Sequence, residues 1–168
     1  MAFKPHPNGG GLVEDTAYVA ETAYVGKYVV VDGEAFVYDR AHLDDRARVS
    51  DSAKIYGSAK VSGDAKVFGR GRLYGGATIT GNAAICGAAV VSGDAEVSGG
   101  AKVSGNAKVY GNARVYGKAR VFGNARVCGN ALVYGFGYVF GSAKVSGNVK
   151  VSGNFIATWY QRVRWFFD

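Results

Sequence analysis

The chain is poor in the residues that anchor several common kinds of function. Among its 168 residues are two cysteines, Cys86 and Cys128, with no CxxC spacing. That excludes a disulfide framework and a four-cysteine zinc site. Two histidines, His6 and His42, cannot supply a three-histidine metal site from one chain. Two prolines are too few for a disordered linker protein, and 26 glycines are too few for collagen. No apolar run approaches the roughly 18–20 residues of a membrane span. The start, Met1-Ala2-Phe3-Lys4-Pro5-His6-Pro7, has no apolar signal segment, so the expected compartment is the cytoplasm. Apolar residues make up 48% of the chain, which is enough for the core of one domain.

What is present is a repeat. Gly-Asn-Ala-Arg-Val-Tyr (111–116) is followed by Gly-Lys-Ala-Arg-Val-Phe (117–122) and Gly-Asn-Ala-Arg-Val-Cys (123–128). From Val13 to Val151, every sixth residue is Val, Ile or Leu. Two positions before each aliphatic stands a small or medium residue, Ala in most hexads and Gly11, Val29, Gly71, Gly137 and Val149 in the others. Glycine occupies every sixth position from Gly57 to Gly153. Ala-x-Val has the period of a strand, so both side chains point to one face. Glycine then turns the corner, where a positive φ costs it little. Each hexad is therefore a short strand and a corner, and three hexads close a triangular coil. The expected fold is an all-β solenoid of about eight coils, roughly 38 Å long at the strand spacing of about 4.8 Å.

This pattern resembles the hexapeptide-repeat superfamily, whose consensus is aliphatic-x-x-x-small-x. The resemblance covers about 13–157 and implies a left-handed parallel β-helix. Handedness comes from the resemblance alone, since the general preference for right-handed crossovers argues the other way. Gly9-Gly10-Gly11-Leu12-Val13, followed by the Gly-Asn-Ala-Arg-Val-Tyr units, is also similar to uncharacterised phage and prophage proteins of this type. The expected organisation is an N-terminal cap over 1–12, containing His6, the β-helix over 13–154, and an aromatic C-terminal cap or oligomerisation segment over 155–168. That last segment carries Trp159, Trp165, Phe166 and Phe167, which are candidate oligomer contacts, and reads as a strand or a helix. Leu132, Tyr134, Phe136, Tyr138 and Phe140 lie just before it and add to the expectation of self-association. The superfamily's habit implies a homotrimer.

Residues flanking each aliphatic point outward, and positions one coil apart stack. The side built on Val19, Val37 and Ile55 is expected to carry a cation row, Lys54, Arg72, Lys108, Arg126 and Lys144, beside a tyrosine row, Tyr38, Tyr56, Tyr74 and Tyr110. These nine are the candidate ligand-binding residues. Rows of cations with interleaved aromatics suit phosphates and bases, although a plain solvated face uses the same residue types. Charge is also segregated along the chain. Residues 14–51 hold nine of the 13 acids, while residues 52–150 hold 13 Lys or Arg against Asp64, Asp94 and Glu96.

Three functions remain open. The first is a non-catalytic scaffold that binds a partner protein or an anionic ligand, nucleotide or nucleic acid, in phage–host conflict. The second is a coenzyme A-dependent acyltransferase, an activity the resemblance implies for many relatives, with His42 as general base and Asp44 as its orienting partner. The third is a structural rod that stacks end to end. No loop encloses His42, no metal set is present, and the leading reading needs no cofactor. Cys86 and Cys128 are expected at outward positions as exposed, inert thiols, on different sides and too far apart to bridge.

Overall fold

The computed structural model describes residues 2–153 and the strand Ile156–Ala157. All regular structure among these residues is strand, in 26 short segments. They form three sheets of ten, eight and eight strands. We call them the first, second and third sheets, starting from β2 (Leu12–Glu14), β3 (Tyr18–Val19) and β4 (Tyr24–Val25) respectively. From β2 onward, consecutive strands lie on successive sheets, so each strand pairs with the one three places on. Val67, for example, pairs in parallel with Val49 on one side and Ile85 on the other, 18 residues away each time. The chain is a three-sided β-solenoid of about eight coils, as the hexad period predicts.

The core follows directly from the sequence pattern. The aliphatic of each hexad and the Ala two residues before it are fully buried along almost the whole shaft, from Ala23 and Val25 to Val133 and Val139. At the N-terminal mouth, Val13, Ala17 and Val19 are only partly buried, because no coil lies beyond them. A short hairpin partly closes this mouth. β1 (Phe3–Pro5) pairs antiparallel with β2, while the Asn8 carbonyl accepts from the Val25 N–H and the Gly11 N–H donates to the Val25 carbonyl, both at 2.9 Å. His6 is buried in this cap.

The corners explain the glycine column. Gly93 has φ +68°, and a Cβ there would stand 3.0 Å from the Gly111 nitrogen of the next coil. In the second and third coils three successive corners are taken by aspartate instead. Asp39, Asp45 and Asp51 have φ of 57°, 56° and 58°. Each carboxylate accepts the N–H of the glycine one lap on, Gly57, Gly63 and Gly69, at 2.8 Å. Aspartate is one of the few residues that enter the left-handed region, because its short side chain can hydrogen-bond locally. Glu14, buried, accepts from the Gly33 N–H at 2.7 Å in the same way. Four of the nine clustered acids therefore cap the backbone of the next coil. The charge segregation visible in the sequence is partly corner chemistry.

One expectation is corrected. Cys86 and Cys128 are free thiols on different sheets, but they are 8% and 7% exposed rather than open to solvent. The residue one lap earlier in the column is an aromatic in each case, Phe68 for Cys86 and Tyr110 for Cys128. A small side chain beside a ring in a stack about 4.8 Å per step is shielded by it. Ser92, behind Tyr74, is 7% exposed for the same reason. Burial pushes the Cys86 thiol above its ordinary value, with Lys102 partly offsetting the rise. A hydrogen bond with the Cys128 thiol, helped by burial, raises the Tyr110 phenol.

Two measurements check this account. Gly93→Ala, which forces an L side chain into positive φ against the next coil's backbone, is expected to cost about 1–2 kcal/mol in denaturant unfolding; no loss would contradict the corner geometry. Folded protein is expected to react with a thiol reagent at neutral pH many times more slowly than unfolded protein, and Tyr110→Ala to speed the Cys128 reaction selectively. Equal rates for folded and unfolded chains would mean that the cysteines are exposed after all.

Candidate basic and aromatic binding face

The hexad places one side chain on each strand immediately before the buried aliphatic, pointing away from the core. On the second sheet these form one column in strict register: Tyr18, Phe36, Lys54, Arg72, Val90, Lys108, Arg126 and Lys144. The five cations of the sequence-derived row are thus on one sheet, with a single break at Val90. From Lys54 to Lys144 is five laps, about 24 Å at about 4.8 Å each. The column after the aliphatics holds Tyr38, Tyr56, Tyr74, Ser92, Tyr110, Cys128 and Ser146. Neither column contains a carboxylate.

The other two sheets carry ion pairs, although Lys66, Lys102 and Arg120 on the first are likewise without an acidic partner among the described residues. On the first, Arg48 is paired with Asp32 through a short ion pair. On the third, Arg114 Nε lies 3.2 Å from Glu96 Oε2, and at the corner that follows this sheet Arg46 Nε lies 2.8 Å from Asp64. Among the described residues, none of Lys54, Arg72, Lys108, Arg126 and Lys144 has an acidic partner. Like charges one lap apart on neighbouring strands destabilise each other by a few tenths of a kcal/mol when exposed. Lys54 gains a little back by lying 5.1 Å from the centre of the Phe36 ring, a cation–π contact worth about 0.5–1 kcal/mol at an exposed site.

At the N-terminal end of the cation column the rings fall into two groups. Tyr38 lies 5.2 Å from Tyr18 and stacks on Phe36 at 5.8 Å. Tyr56 stacks on Tyr74 at 5.2 Å with 9° between the planes. Where the two groups part, a shallow open depression of about 490 Å³ is lined by Tyr38, Asp39, Lys54, Tyr56 and Arg72. Its one carboxylate, Asp39, is held to the Gly57 N–H. The depression thus offers two unpaired cations on one side and two phenol rings on the other.

The structure brings Tyr38, Lys54, Tyr56 and Arg72 together here, with Tyr74 stacked behind. Tyr110, Lys108, Arg126 and Lys144 lie on the same sheet farther along the shaft. Tyr18, Phe36 and Asp39 also belong to this neighbourhood, although the sequence pattern does not single them out as ligand-binding. Counting back one lap and two laps from Lys54 reaches Phe36 and Tyr18, so a signal for those two is present in the sequence.

His42 sits on the third sheet between Tyr24 and Lys60. Its ring stacks on Tyr24 at 4.4 Å. Its Nε2 is 3.8 Å from Asp44 Oδ2, beyond hydrogen-bond range, while the other Asp44 oxygen accepts the Asp45 N–H at 2.8 Å. The two side chains are thus at ion-pair distance without a hydrogen bond between them. Among the described residues no cluster of three or more His, Cys, Asp or Glu could hold a metal ion, and no helix is long and apolar enough to cross a membrane. The oligomer candidates Trp159, Trp165, Phe166 and Phe167 lie outside the described residues.

Comparison with known proteins adds one finding. Residues 107–123, just under one lap of the shaft, match a family model described as the YdcK beta solenoid repeat. No curated protein and no solved structure matches the chain. The chain is thus similar, over one coil, to a β-solenoid repeat family, in agreement with its architecture.

Proposed function

We propose that this protein is a non-catalytic scaffold whose second sheet binds an anionic ligand, a nucleotide or nucleic acid, or the acidic face of a partner protein. The observation that carries this reading is the carboxylate-free second sheet, where five cations stack in one column without acidic partners. Such a column is self-repulsive when empty and is relieved by an anion, which exchanges its own counterions for the protein's fixed charge. The Lys54–Arg72 depression beside Tyr38 and Tyr56 adds a place where charge and ring stacking act together.

The six-residue period supports membership of the hexapeptide-repeat type, with the left-handed coil and the phage–host role carried by the sequence resemblance and the cytoplasmic setting by the lack of an apolar signal segment at Met1–Pro7. Self-association as a homotrimer rests on the superfamily's habit, with the exposed Phe136 an apolar surface that such a contact would cover.

The test is binding of an anionic probe across a salt series. Replacing Lys54, Arg72, Lys108 and Arg126 together by Ala is expected to weaken binding and to flatten the salt dependence. The log–log slope is expected to fall by roughly 0.7 for each single-strand phosphate that the variant no longer neutralises. Replacing Lys60 and Lys150 on the third sheet is expected to change little. Unchanged affinity in the fourfold variant would remove the second sheet from the account.

A further inference from the structure

We infer that the ligand of the second sheet is a single-stranded nucleic acid lying along the shaft axis, with phosphates on the cation column and bases against the rings at its N-terminal end. This rests on the anion-binding reading above and narrows it to one class of ligand.

Three observations separate a single strand from a duplex or a featureless polyanion. The first is the shape of the charge. The unbroken register keeps Lys54, Arg72, Lys108, Arg126 and Lys144 on one side of the shaft. Over the column's length of about 24 Å, a duplex advances roughly 7 base pairs, about two thirds of a turn, so each of its phosphate strands winds away from a straight line of cations. An extended single strand can follow the whole line.

The second is the position of the rings. The aromatic groups Tyr18–Phe36–Tyr38 and Tyr56–Tyr74 are concentrated at one end of the column, beside Lys54 and Arg72. A duplex hides its base faces and polyphosphate has none, so neither would use these rings. Unpaired bases stack on aromatic side chains with little regard to sequence.

The third is the depression itself. It is a shallow, open depression of about 490 Å³, which a base can enter from the surface. Its polarity is asymmetric. Asp39 repels a phosphate from the corner, which leaves that side to an uncharged base, while Lys54 and Arg72 hold the adjoining phosphate. The site therefore favours one base at the head of the column with the backbone running toward Lys144.

The experiment uses the full chain and fluorescence anisotropy with a labelled short oligothymidylate. Unlabelled single strand, duplex of equal length and inorganic polyphosphate of matched charge compete in separate arms. The expected order is single strand tightest. Tyr56→Ala is expected to weaken single-strand binding roughly fivefold or more, to leave polyphosphate binding unchanged, and to be rescued by Tyr56→Phe, which keeps the ring. Thermal melting of each variant checks that the shaft is intact, and Tyr38→Ala provides a second removal of a ring. Equal competition by polyphosphate, or intact variants that bind the single strand as wild type does, would overturn this inference while leaving anion binding in place. Failure of every anion to bind would overturn both.

Discussion

Along the described shaft, every outward side chain is placed by the length of one lap. Each coil takes 18 residues, so a residue's nearest neighbours across the sheet are those 18 before and after it. Two local preferences enforce that lap. Ala-x-Val puts both side chains on the inner face of a strand. A corner residue in the left-handed region then turns the chain toward the next side. The backbone of one coil approaches the next so closely at the corners that a Cβ on Gly63 would stand 2.8 Å from the Gly81 nitrogen. The coil has little freedom to lengthen or slip, and the outer side chains have no choice of partner.

That rigidity turns sequence repetition into chemistry. A side chain copied every lap becomes a column. Asparagines become ladders, as in the Asn106–Asn124 and Asn112–Asn130 contacts at 3.2 and 3.3 Å. Tyrosines become stacks. Opposite charges one lap apart become ion pairs, such as Arg46 with Asp64 and Arg114 with Glu96. Lysines and arginines alone become a line of unbalanced charge, which is the state of the second sheet. A fold with flexible outer loops could spread such charges apart. This one holds them at strand spacing, so a binding partner or counterions must offset the repulsion.

The fold is legible in the sequence because its determinants are local and periodic. Val, Ile or Leu at every sixth residue from Val13 to Val151, with Gly57 to Gly153 at the corners, leaves no competing assignment. The candidate face is legible in part. Counting by laps finds Lys54 to Lys144 and the tyrosines, but a count that starts at the first cation passes over Phe36 and Tyr18. The depression at Tyr38 and Tyr56 is not legible, because it depends on which way each ring leans. The thiols show the same limit. Outward-pointing is a property of the backbone, whereas exposure depends on the neighbour's size, and Phe68 and Tyr110 are large. Asp39, Asp45 and Asp51 look like surface charge in the sequence. Only the positive φ and the Gly57, Gly63 and Gly69 N–H groups reveal them as corner acceptors.

The lap length can be measured directly by cross-linking. With Cys86 and Cys128 replaced by Ser, the pair Ser62→Cys and Thr80→Cys places two thiols one lap apart on the third sheet, within the Cα separation a disulfide allows. The pair Ser50→Cys and Ser62→Cys places them on different sides. The account predicts that the first pair oxidises readily to an intramolecular disulfide in the folded protein and that the second does not. Cross-linking of the second pair in preference to the first would contradict the three-sided coil.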